Sequence, residues 1–134
     1  MDNLSRFQPT MLSILRIATG LLILSYGTMK ILHFPVGMQP AVGTLPWFAG
    51  CIELICGALV LLGLFTRPAA VLLSGLMAFA YFIAHFPKGF FPALNSGSLA
   101  MILCFVFLYI AVAGPGPISV DAKLRGSKGY VPAE

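Results

Sequence analysis

The stretch that decides the fold is Pro46–Phe65, PWFAGCIELICGALVLLGLF. As a helix rising about 1.5 Å per residue, a run of about 20 residues crosses the roughly 30 Å hydrocarbon core of a bilayer. Its single charged residue is Glu53. A carboxylate at that depth costs roughly 2.5–3.5 kcal/mol on insertion scales, so it calls for a partner or a chemical task.

Three further apolar runs flank this one. The first is about Met11–Leu32, with Arg16 and Lys30 near its two ends; the third is Pro68–Phe86; the fourth, about Gly97–Gly114, carries no charge. Of 134 residues, 59% are hydrophobic and 9% charged, against about 25% charged in soluble domains. A water-soluble core of this size could not hide so much apolar surface. The fold class is therefore all-α: an integral membrane four-helix transmembrane bundle, one domain over 1–134 with a tail from 115 to 134. The lipid bilayer is its first partner. Thr66-Arg67-Pro68 reads as a short connection that makes spans two and three an antiparallel hairpin. Pro46 and Pro68 suit first helical turns, and Gly114-Pro115-Gly116-Pro117 ends the fourth span.

The formal charge of +4 reads as membrane orientation. No basic run with interleaved aromatics lies outside the apolar segments, so nucleic acid is not an expected partner. With both termini inside, the inner side holds Arg6, Arg67, Lys123, Arg125 and Lys128, with Arg16 close by, and the outer side holds Lys30 and Lys88. The positive-inside rule thus favours a bacterial-type inner membrane protein with cytoplasmic termini. Trp47, Phe48, Phe86, Phe90 and Phe91 then form an outer aromatic belt. MDNLSRFQPT lacks the pattern of a cleaved signal, so the first span is expected to stay. Cys51, Cys56 and Cys104 form no C-x-x-C pair and read as small apolar residues.

Helical spacing sets the seams. Arg16, Gly20, Ile23, Gly27 and Lys30 share one face of span one; Gly50, Glu53 and Gly57 share one of span two. Span three offers Ser74, Ala78, Tyr81 and His85, and span four Ala100, Cys104, Phe107, Ala111 and Gly114. Small residues on such stripes let helix backbones approach closely in lipid.

Side chains lean toward their own helix's N-terminus. Arg16 therefore leans away from Glu53, while Lys30 and His85, near the outer ends of spans one and three, lean down toward it. The expected site is Glu53 with Lys30 and His85, flanked by Tyr26 and Tyr81 and opening outward. There Lys30 and His85 would donate hydrogen bonds to a ligand carbonyl and Glu53 would exchange a proton. The competing reading is an ion pair that serves only packing. Arg16 is expected to snorkel to the cytoplasmic interface, with Asp121 as a partner. Ser119–Arg125 reads as a short interfacial helix capped by Ser119. A haem held by His33 and His85 is disfavoured, because His33 sits beyond its span beside Pro35. No metal set, P-loop or dinucleotide motif is present.

The sequence resembles the DoxX family of small four-helix membrane proteins. The resemblance lies in RIATGLLILSYGTMKIL (16–32), GCIELICGALVLLGLFTRP (50–68), His85 followed by Lys88-Gly89-Phe90-Phe91, and GPGPISVDA (114–122). It marks Arg16, Gly20, Lys30, Glu53, Gly57, Gly63, Arg67, His85, Ser119 and Asp121 as family-pattern positions. Family members often carry an acid at the start of the last helix; here Asn95-Ser96-Gly97-Ser98 puts a serine there, and Ser98 joins the expected ligand contacts. The resemblance implies a membrane subunit in quinone-linked redox or redox-stress chemistry, with quinone as its bound group and an oxidoreductase, soluble or membrane-bound, as partner. The alternatives are a non-catalytic scaffold or assembly factor, or a small-molecule carrier working as a homo-oligomer.

Overall fold

The fold is that of a computed structural model that describes residues 2–34, 36–37 and 40–125. The expected tail beyond Arg125, with Lys128, lies outside the described residues. The chain is 74% helix with no strands among the described residues. A short α1 (Asp2–Ser5) precedes α2 (Gln8–Ile31), α3 (Leu45–Leu62), α4 (Thr66–Ala80), α5 (Ser98–Ala113) and α6 (Val120–Leu124). Past α4 the rod continues through a π-helical turn, Tyr81–His85, and a 3-10 turn, Phe86–Lys88. Gln8–Ile31, Leu45–Leu62 and Thr66–Lys88 are long and apolar enough to cross a membrane, and Ser98–Ala113 is a shorter apolar helix.

The α3–α4 connection lies earlier than Thr66-Arg67-Pro68. Gly63 (φ 73°) and Phe65 (φ 48°) adopt left-handed backbone, so the chain reverses over Gly63–Phe65. Arg67 and Pro68 then fall in the first turn of α4, where proline's missing N–H is no loss.

Two helix pairs build the bundle. In the α2–α3 pair, glycine lets the backbones touch. A Cβ on Gly20 would stand 2.7 Å from Leu61 N, one on Gly27 2.5 Å from Leu54 N, and one on Gly57 2.9 Å from Leu24 N. Any side chain at these positions would push the helices apart. In the α4–α5 pair, the Ser74 hydroxyl donates to the Cys104 carbonyl at 2.8 Å. The two pairs share one core of Ile23, Cys56, Val60, Leu73, Phe107 and Ile110. α3 packs on α4, whereas α2 and α5 barely meet.

The outer surface identifies the solvent. Leu21, Ile55, Leu72, Phe105 and Val112, distributed over four helices, are each more than half exposed. A soluble monomer rarely presents contiguous apolar surface on this scale, and a bilayer solvates it. The protein is an integral membrane helical bundle.

Candidate functional site

Charged and polar groups gather at two opposite poles of the bundle. The first pole lies where α2 ends and α3 begins. Glu53 is 4% exposed. Lys30 Nζ stands 3.0 Å from Oε1, as a hydrogen bond, and 3.0 Å from Oε2. The fold makes this contact unavoidable. Gly50 faces the Cβ of Lys30 and Gly27 faces Leu54, so Lys30 sits about one turn further along α2 than the point opposite Glu53. Its side chain leans back toward its own N-terminus and covers that turn.

Beside the pair lies a cavity of about 310 Å³ between the two helix pairs. Tyr26, Lys30, Glu53 and His85 supply much of its polar wall; Ile23, Met77, Leu99 and Leu103 supply apolar wall. His85 reaches it from the π-helical turn. Such turns close i→i+5 bonds in place of i→i+4, shift the angular phase of the residues beyond them, and recur at functional sites.

Asn95, 1% exposed, organises the loop beside the cavity, and no motif in the sequence singles it out. Its Nδ2 donates to Tyr81 Oη (3.2 Å) and to the Gly89 carbonyl (2.9 Å), and its Oδ1 accepts from Gly97 N (2.8 Å). The Asn95 carbonyl lies 3.2 Å from His85 Nδ1. A carbonyl can only accept, so Nδ1 carries the proton here. The other nitrogen of a neutral ring is then an acceptor.

Two expected contacts stand elsewhere. Tyr81 is buried and tied to Asn95; it does not line the cavity, where Tyr26 does. Ser98 is exposed and donates to the Pro92 carbonyl at 2.9 Å. At the first position of α5 it faces away from the bundle, while Ser96, from the same loop, lines the cavity. His33, exposed beyond α2 with φ 57°, is not part of the cavity wall. Among the described residues no cluster of three His, Cys, Asp or Glu could hold a metal ion.

The second pole is structural. Arg16 is 1% exposed and does not snorkel. Its Nη1 donates to the Pro115 carbonyl (2.5 Å) and its Nη2 to that of Ile118 (2.7 Å). Ser13 Oγ accepts from Ile118 N at 3.1 Å. The segment after α5 folds back over the bundle end, and Arg16, with the Ser13 hydroxyl 3.5 Å from the Pro115 carbonyl, supplies donors to its carbonyls. Asp121 caps α4: its carboxylate accepts from Phe65 N (3.0 Å) and Thr66 N (3.1 Å), and it acts on Arg16 through its charge without direct contact. Arg67 Nη1 donates to the last carbonyls of α5, Ala111 (3.0 Å) and Val112 (2.6 Å), where a cation also suits the helix dipole. Ser119 caps α6, accepting from Ala122 N at 3.0 Å.

Fold and poles together define a small multi-helix membrane protein with an ion pair, its carboxylate buried and its ammonium partly so, on the wall of a cavity between its helix pairs. The DoxX family model matches residues 11–86, which hold α3, α4 and the whole Lys30–Glu53–His85 group. The chain belongs to the DoxX family. A relative from Haemophilus influenzae, described as an uncharacterized protein, is 42% identical over 130 residues, covering 92% of this chain and 97% of its own. An uncharacterized membrane protein of Mycobacterium tuberculosis is 33% identical over 131 residues, covering 82% of this chain and 78% of its own. No solved structure matches.

Proposed function

We propose that this protein is an inner-membrane subunit that binds a quinone or similar small aromatic molecule in the Glu53 cavity, for quinone-linked redox or redox-stress chemistry. The observation that carries the reading is the Lys30–Glu53 pair on the wall of a cavity of about 310 Å³. A pair serving packing alone has no need of adjoining space. On this reading both termini face the cytoplasm; the positive-inside rule supports it, with Arg6, Arg67, Lys123 and Arg125 toward one end and Lys30 and Lys88 toward the other. The cavity then faces outward.

The residues present suit such a ring. Glu53 engages at most two of the three Lys30 N–H donors, which leaves one for a ligand oxygen. His85 accepts from a ligand hydroxyl, and Glu53 exchanges a proton with the site. Ile23, Met77, Leu99 and Leu103 give the ring apolar faces and exclude water. Bound there, a quinone would supply the two-electron, two-proton couple that these side chains lack, with electrons from a soluble or membrane oxidoreductase partner.

Trp47, the one tryptophan of the chain, gives the test. It lies six positions before Glu53 on α3, roughly 9 Å along the axis. Titrating the detergent-solubilised protein with a tailless benzoquinone should quench Trp47 fluorescence saturably in wild type and only linearly in Glu53→Gln. Linear quenching in both would overturn the reading. A second reading, a non-catalytic scaffold, is favoured by one observation: Lys30 and Glu53 satisfy one another's charge.

A further inference from the structure

Two hollows meet at Lys30, Ala80 and His85. One is the Glu53 cavity. The other is a groove of about 740 Å³ along the lipid-facing sides of α3 and α4, walled by Ala49, Ile52, Leu72, Gly75, Leu76 and Phe79 among others. Every residue lining the groove is apolar except Lys30 and His85. From Val71 to His85 it follows α4 and the π-helical turn beyond it for roughly 21 Å.

Gly75 explains how the groove comes to be hollow. It lies mid-helix, where glycine is less favourable than alanine by about 1 kcal/mol. Unlike Gly20, Gly27 and Gly57, it has no packing reason: a Cβ there would meet nothing within 4 Å. The consequence of this glycine is open space on the lipid side. The Glu53 cavity, for its part, has a volume at the low end of ligand sites. It holds a ring, and a long substituent on that ring must leave it. The groove begins at Lys30 and His85, which with Ala80 wall both hollows.

We infer that the ligand of the Glu53 cavity is an amphiphile with one apolar tail, entering from the lipid phase between Lys30 and His85 and lying with its tail along the α3–α4 groove. This rests on the cavity being a binding site. Lipid tails are as apolar as the groove, so the groove adds shape and a path more than hydrophobic drive.

The test uses the full chain in detergent and two probes with the same dimethoxy-methyl-benzoquinone ring, one with a decyl tail and one without, read by Trp47 quenching. Gly75→Leu projects into the groove from a position whose Cβ meets nothing within 4 Å; Ala84→Leu, elsewhere on the same wall, is the second variant should the first misfold. Each should weaken the decyl probe at least tenfold relative to wild type and leave the tailless probe within twofold. Equal binding of the decyl probe to wild type and both variants, with normal tailless binding, overturns the groove and leaves the cavity reading standing. So does efficient Gly75→Cys cross-linking between two copies, which would assign the groove to a dimer. Failure of the tailless probe to bind wild type overturns both readings together.

Discussion

Lys30 and Glu53 stand about one helical turn apart in register yet meet at 3.0 Å, because the α2 side chain leans back across the gap that Gly50 leaves open. The pair is held by two helices whose backbones touch at Gly20, Gly27 and Gly57. The seam therefore fixes the two backbones from which the pair reaches out. Removing one partner leaves a buried charge alone, and such breakage costs about 3–5 kcal/mol where the site is dry. Lys30→Met and Glu53→Met should each lower the unfolding temperature in detergent, and the double variant should recover part of the loss. A double-mutant cycle should return a favourable coupling of about 0.5–3 kcal/mol; additive losses would show that the pair contributes no mutual stabilisation.

The seam makes its own prediction. Gly27→Ala places a Cβ 2.5 Å from Leu54 N, backbone that cannot swing aside, so α2 and α3 must separate. Overpacking of this kind costs about 1–3 kcal/mol. Gly75→Ala meets open space and should be neutral or stabilising by up to about 1 kcal/mol. Thermal unfolding of the two variants side by side should give shifts of opposite sign, or one loss and no change.

At the other pole, Arg16 holds the segment after α5 through the carbonyls of Pro115 and Ile118. Arg16→Met should leave the Ile118 carbonyl without its donor and the Pro115 carbonyl with only the long Ser13 hydroxyl bond (3.5 Å), at about 1–3 kcal/mol for a carbonyl left dry and unpaired. Arg16→Lys should rescue only in part, since an ammonium lacks the planar fork. Hydrogen exchange should rise over residues 116–125 in Arg16→Met while the α4–α5 core amides stay protected.

Asp121 caps α4 across the bundle end. Asp121→Ala should destabilise by about 0.5–2 kcal/mol and speed exchange at the amides of Phe65 and Thr66. Unchanged exchange there would show that the cap is not formed in the membrane-extracted protein.

Hydropathy and helix direction make much of this legible in the sequence. Long apolar runs can be satisfied in lipid only as helices, and the glycine stripes mark which faces meet. The lean of helical side chains is enough to join Lys30 to Glu53 and to keep Arg16 away. Other features lie outside what periodicity encodes. Arg16 reads as an interfacial cation because its partners, the carbonyls of Pro115 and Ile118, come from a non-helical segment whose path leaves no pattern. The π-helical turn that aims His85 has no sequence signature of its own. Asn95 reads as an ordinary loop residue, although a short amide beside Gly97 just before a helix is a common backbone-bonding device. Analogy with the family acid points to Ser98 over Ser96, while helical phase at the start of α5 decides that Ser98 faces outward.

The most direct test of a ligand-binding Glu53 cavity is to identify what the protein carries out of its own membrane. Wild type and Glu53→Gln, purified in mild detergent and verified as folded, would be extracted and the small molecules compared by mass spectrometry. A quinone or related tailed aromatic present at near one per chain in wild type and depleted in Glu53→Gln is the predicted result. The same lipids and no such molecule in both, with Glu53→Gln merely less stable, would contradict it and make the ion pair a packing device.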